Sequence, residues 1–289
     1  MKRIVGLFLM VCGFLLLIST FDRLGIGNWL FSGKPISKSV SHASIEKISI
    51  DTPVQVNVLP ENRKDITVVA NGKKIKLIDL EIKKTNKQIQ FRIKKHWLFW
   101  FVEPNQIKLT LYIPADFHQN LSIQGSGDLQ IHGDSPTKKW KLAELKVSLH
   151  SGNSKFQNLQ VDRFNYHHSI GNIQVKDVAS KQTLLNVGQG DITFSRYSGM
   201  LKIGLIKGNL RAHFSSLTKS LETDVQNGNT FIDLPSEIPF LIYAHTSHGT
   251  IDCRFPIQGK KTNQYIKGKY QDGRSTVINQ TRNGNIYIY

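Results

Sequence analysis

The chain has 289 residues, 39% of them hydrophobic, enough for one large domain or two small ones. Its formal net charge of +17 predicts non-specific attraction to polyanions. Two widely separated cysteines, Cys12 and Cys253, imply no disulfide framework.

The N-terminal stretch MKRIVGLFLMVCGFLLLISTFDR opens on Lys2 and Arg3, runs uncharged from Ile4 to Phe21, and closes on Asp22 and Arg23. About 18 apolar residues is the lower limit for a spanning helix. A cleaved signal peptide has a shorter apolar core followed by an Ala-x-Ala-like site. Ser19, Thr20 and Phe21 make a poor one, and the bulky Val11 before Cys12 argues against lipid attachment. The expectation is a retained anchor over 1–23. Lys2 and Arg3 favour a cytoplasmic N-terminus, with the remaining chain extracytoplasmic. Residues 24–44, rich in Gly, Ser and Pro, read as a tether with Trp29 and Phe31 at the membrane interface.

From Ile45 the apolar pattern has period two, which predicts strands. The segments ISIDTPVQVNVLPEN, DITVVANGK, LIDLEIKK, KQIQFRIKK and NQIKLTLYIP are rich in Ile, Val and Thr and are bounded by Asn, Gly and Pro. They define an irregular β region over 45–114. The segment TKKWKLAELKV, Thr137 to Val147, is the nearest approach to helical spacing and reads as a short helix or a loop excursion.

A repeat occupies 115–289. Its markers are Gly127, Gly152, Gly171, Gly190, Gly208, Gly228, Gly249 and Gly284, mostly about 20 residues apart. Asn or Asp follows seven of the eight glycines, and Thr250 follows the other. Two and four residues beyond each glycine the side chain is mostly apolar, as with Ile192 and Phe194, and the residue between is mostly polar. Each glycine therefore starts a short strand with one buried face. A second strand precedes most corners, as in Leu185/Val187 and Ile203/Leu205, and the first corner is one residue out of register.

Such a unit can coil on itself, stacking equivalent positions of successive turns into one core. Glycine supplies the positive φ of the corner, and Asn or Asp tolerates that region and can stack in ladders. An antiparallel hairpin array is the competing structure, because Asn-Gly and Gly-Asn also mark hairpin turns. The expected fold is an all-β, right-handed parallel β-helix or β-solenoid with an irregular N-terminal β cap, preceded by one transmembrane helix. The terminal strand with Tyr287 and Tyr289 is expected to cover the far end of the stack.

The run IKLTLYIPADFHQNLSIQGSGDLQI, Ile107 to Ile131, resembles the signature of the bacterial putative-adhesin β-solenoid domains. A strand ending in Pro, a polar link, and a strand running into Ser-Gly-Asp carry the likeness. The layout of anchor, tether and basic β-repeat is similar to that of LiaG-like membrane proteins of the Bacillus cell-envelope-stress operon. The resemblance implies a surface-facing membrane protein and implies no reaction.

Chemistry-bearing residues are few. Calcium-binding coils need several glycines and a regularly spaced Asp in each nonapeptide, whereas here one glycine is followed mostly by Asn. Metal and cofactor are therefore not expected. Glycoside hydrolysis needs paired carboxylates, yet the outward column three past each glycine carries Asp252 alone. His167 and His168 point to opposite faces, as do His245 and His248, so neither pair makes a metal site. Cys253 stands in an inward column as a small buried hydrophobe.

The segment KKHWLFWFVEP breaks the alternation. Trp97, Phe99, Trp100 and Phe101 form either a buried cap strand or an aromatic finger for a membrane or a partner. The basic surplus comes without a nucleic-acid-binding motif. The expected role is binding without catalysis, through the membrane and either anionic cell-wall polymers or neighbouring membrane proteins, with no small-molecule substrate. A polysaccharide-active β-helix enzyme and a regulatory subunit of a membrane sensor complex are the alternatives.

Overall fold

The computed structural model describes residues 33–73, 75–95 and 106–289. The period-two segments become twenty-four strands among these residues, with one short 3-10 turn at Ile75–Leu77 and no α-helix. No helix among them is long and apolar enough to cross a membrane. The expected anchor over 1–23, the first part of the tether, and Trp97, Phe99, Trp100 and Phe101 lie outside the described residues. The later part of the expected tether is folded: Ile36–Ser41 pairs antiparallel with Asp65–Gly72.

Successive coils pair in parallel. Ile173 is in register with Ile192, Ile192 with Leu210, and Leu210 with Thr230. Coil therefore replaces hairpin array through the body of the stack. Antiparallel pairs occur only toward its two ends, as in Ile78–Lys84 with Gln88–Lys95 and in Phe240–His248 with Tyr265–Tyr270. Each coil contributes a short strand, such as Ile173–Lys176, and a longer one, such as Ala179–Gln189. Two outer faces result.

The inward columns close over one core. Ile173, Val175, Leu185, Val187, Ile192 and Phe194 are all buried, and the intervening Gln174 and Asn186 are exposed. Aromatic edges fill the wider layers: Phe156 meets Phe164 at 4.9 Å, and Phe194 meets Tyr197 at 5.1 Å. Tyr166, His168, Asn279 and Thr281 also point inward, so the core is polar in places.

The corner glycines are explained by two contacts. Gly190 has φ 144° and Gly228 φ 143°, where side chains are disfavoured. A Cβ on Gly190 would lie 2.0 Å from the Gly171 carbonyl oxygen, and one on Gly228 would lie 1.8 Å from that of Gly208. The carbonyl of each coil thus occupies the space its neighbour's side chain would need.

A second corner follows six residues later, at Asn158, Asp177 and Arg196, with φ of 57°, 55° and 52°. Asn and Asp adopt this conformation readily, and Arg does so at a cost. Arg196 is held there by donating from Nε and Nη2 to the Asp177 carboxylate at 2.6 and 2.5 Å. The same guanidinium keeps the Asp177 carboxyl below the usual carboxylate range.

Thr137 to Val147 departs from expectation. Trp140–Ser151 is a strand, bent at Ala143 and Glu144. Trp140 and Leu142 face inward before the bend and Leu145 and Val147 after it. The change of parity at the bend imitates helical spacing.

Spatial order departs from chain order at both ends. Lys47–Thr52 lies between Gln88–Lys95 and Asn120–Gly125, so the N-terminal β region adds a layer to the parallel stack as well as capping it. At the other end Ser275–Asn283 lies between Ser220–Asn227 and Phe240–His248. Ile286–Ile288 likewise separates Thr230–Asp233 from Ile251–Cys253. The last coil in the chain is therefore the last but one in space. The terminal strand does not cover the end. That role falls to the hairpin of Gln258–Lys261 and Tyr265–Tyr270, which folds back antiparallel on Phe240–His248. This hairpin is also why the interval from Gly249 to Gly284 is nearly double the others.

Candidate functional site

The eight corner glycines stand in one column and their role is architectural. The Asn and Asp residues after them form a continuous ladder. Asp128 Oδ1 accepts the backbone N–H of Asn153, Asn153 that of Asn172, and Asn172 that of Asp191. Asp191 then accepts from Asn209, Asn209 from Asn229, and Asn229 from Asn285. These carboxylates and amides are engaged in structure. Among the described residues no group of three His, Cys, Asp or Glu side chains could hold a metal ion.

His167 and His168 separate as the strand parity required, whereas His245 is half-buried and His248 exposed. His167 faces solvent, while His168 is fully buried with Nδ1 2.8 Å from the Tyr166 hydroxyl. The Tyr166 hydroxyl donates in turn to Ser154 Oγ at 2.7 Å. Burial pushes the His168 imidazole down to about 4 and the Tyr166 phenol up. Cys253 is buried in its inward column, and burial raises its thiol pKa. It is placed for packing and is poorly suited to nucleophilic work.

A stretch poor in carboxylates lies where the inserted coil sits. Asp272 is the one acidic side chain from Cys253 to Tyr289, against Lys260, Lys261, Lys267, Lys269 and three arginines. Both outer faces share this basic end.

On the short-strand face, the rings of Phe231 and Tyr287 stack at 4.7 Å and 5°. Tyr287 and Tyr289 follow at 6.3 Å. Arg211 lies 5.0 Å from the centre of the Phe231 ring, and Arg254 lies 4.2 Å from that of Tyr289. The ring faces are thus taken by neighbours, leaving ring edges, guanidinium groups and hydroxyls for a ligand. His213 and Asp233 pair beside them at 2.5 Å. Asp252 is in register with Tyr287, which is in register with Phe231, so Asp252 and Asp233 belong to coils that are not adjacent.

On the long-strand face, Leu241 and Tyr243 point outward, 48% and 37% exposed. Thr276 and Ile278 are their partners on the inserted strand, and Lys269 and Lys267 their partners on the hairpin. Together these six side chains line a shallow groove with an apolar floor and a lysine rim. Tyr265 meets Tyr243 edge-on at 5.5 Å, and Lys260 lies 5.9 Å from the Tyr265 ring.

Strand parity held the signal for this groove. Ala244 and Thr246 stand five and three residues before Gly249 and are buried, which turns Tyr243 and Leu241 outward. The lysine rim was hidden, because it depends on the hairpin folding back on that strand.

The Toastrack DUF4097 family matches residues 45–289, and the chain belongs to it. Among solved structures, the chain is similar to a putative adhesin from Bacteroides fragilis at 13% identity and TM-score 0.53, over 90% of this chain and 99% of that one. It is also similar to a putative lipid binding protein from Parabacteroides distasonis, at 11% identity and TM-score 0.45, over 89% and 97%. A putative adhesin from the same species stands at 12% identity and TM-score 0.42, over 90% and 98%. The first of these likenesses is one of fold. No curated protein matches the chain.

Proposed function

We propose that this chain is an extracytoplasmic, adhesin-like binding domain that acts through the basic C-terminal end of its stack and catalyses no reaction. The single observation that carries the reading is charge. Two outer faces converge on a segment with one acidic side chain, Asp272, among four lysines and three arginines. Such a surface concentrates polyanions by long-range attraction and holds them by charge-assisted hydrogen bonds. Anionic cell-wall polymers are the ligand class.

The apolar N-terminal run over 1–23 supports a retained membrane anchor. The first described strand, Ile36–Ser41, lies at the opposite end of the stack from the hairpin. Strand spacing of about 4.8 Å makes the long-strand face about 55 Å from end to end. The LiaG-like layout of anchor, tether and basic β-repeat supports a role in cell-envelope stress. The dispersed acids support a non-catalytic reading, since Asp233 pairs with His213 and Asp252 stands apart from it.

The test is binding of the full chain to polyglycerol phosphate and to a neutral glycan, each across a salt series. The expected result is polymer binding that weakens steeply with salt and little binding to the neutral glycan. Equal affinity for both, or no binding to the polymer at low salt, overturns the proposal.

A further inference from the structure

The groove on the long-strand face carries more than charge. Four large hydrophobic side chains are prominently exposed among the described residues, and Leu241 and Tyr243 are two of them. They sit next but one on a single strand and share a face, with Ile278 beside Tyr243 on the inserted strand. A polymer of phosphate and polyol has no use for this floor. Lys267 and Lys269 flank it on the hairpin, and Lys260 pairs with Lys267 one strand further out. The hairpin and inserted strands contribute no acidic side chain to this face.

An apolar floor bordered by lysines is complementary to a surface that is itself apolar beneath and anionic above. Long lysine stems lie along apolar ground while their ammonium groups reach outward. Apolar side chains enter the boundary between headgroup and acyl chain, and each nearby lysine adds attraction to anionic lipid. We infer that the groove formed by Leu241, Tyr243, Thr276, Ile278, Lys267 and Lys269 docks on an anionic phospholipid bilayer surface. This deepens the proposed function by giving one face of the basic end a lipid partner, and it rests on that reading of the basic end.

The experiment uses the full chain with Cys12→Ser, which leaves Cys253 buried, and a bimane fluorophore on Gln258→Cys at the groove rim. A second preparation carries the fluorophore on Gln174→Cys, an exposed position on the short-strand face. Each is reconstituted into vesicles of phosphatidylcholine, or of phosphatidylcholine with phosphatidylglycerol, containing brominated lipid as quencher. Expected is strong quenching at position 258 in the anionic vesicles alone, with none at 174. Lys267→Gln with Lys269→Gln should shift the anionic-lipid dependence by about twenty-five-fold, from roughly fivefold per lysine.

Equal quenching at 258 and 174, or equal quenching in neutral vesicles, overturns the inference. So does fluorophore self-association at 258 without lipid quenching, which would assign the groove to a second copy of the chain. If polyglycerol phosphate still binds while position 258 is unquenched, the lipid inference alone fails. If both are negative, the binding role of the basic end fails with it.

Discussion

Asn285 Oδ1 accepts the backbone N–H of Thr250 at 2.9 Å, although Thr250 precedes Asn285 by 35 residues and belongs to an earlier coil. This bond closes the ladder that starts at Asp128. It also accounts for the one corner without Asn or Asp. Thr250 stands in the outermost corner, where no further coil presents an N–H to accept. The inserted coil carries Asn285 because it has Thr250 to serve.

The ladder therefore makes unequal demands along its length. Asn209→Ala and Asn285→Ala each leave a neighbouring corner N–H without its acceptor and should cost about 1 kcal/mol. Thr250→Ala removes only a weak hydroxyl contact of 3.3 Å and should stay within about 0.5 kcal/mol. Urea denaturation of the three variants checks the order. An equal loss at all three positions would show that the ladder does not end at Thr250.

The corner glycines should tolerate no side chain in mid-stack. Gly190→Ala and Gly228→Ala drive a Cβ against a backbone carbonyl at a positive φ, costing about 3 kcal/mol from strain and overpacking together. Gly204 is a useful contrast, because its Cβ would meet only the Asn186 side-chain oxygen at 3.2 Å. Gly204→Ala should be far milder. Thermal unfolding compares them directly.

His168 predicts a pH dependence of stability. Its folded pKa is lowered to about 4 by burial, from an ordinary value of 6.5, so the folded state binds the proton less readily than the unfolded state. The stability it allows is fully present above pH 6.5, falls as pH drops toward 4, and levels off below. The slope within that window is at most about 1.4 kcal/mol per pH unit. His168→Leu should flatten stability between pH 6.5 and 4 relative to the parent chain. An unchanged slope would place the titration elsewhere.

Much of the stack was legible because period-two burial and the corner glycines repeat in phase. Ile192, Phe194, Ile203 and Leu205 could be placed inward by parity alone. Polar inward residues broke the pattern: Tyr166, His168, Asn279 and Thr281 occupy core columns that their chemistry disguised. The insertion of the last coil was not legible, since Gly284 and Asn285 look like any other corner and parallel pairing leaves no mark on local sequence. The long interval before Gly284 was its one trace. The basic end was half visible, as a carboxylate-poor tail whose lysines and apolar residues meet only after the chain folds back.

The claim that the basic end is the binding surface is tested most directly by lysine-reactivity footprinting of the full chain with and without polyglycerol phosphate. Lys260, Lys267 and Lys269 should lose reactivity in the presence of the polymer, while Lys83 and Lys155, far along the stack, keep theirs. Uniform protection of all five, or protection confined to Lys83 and Lys155, would contradict the account.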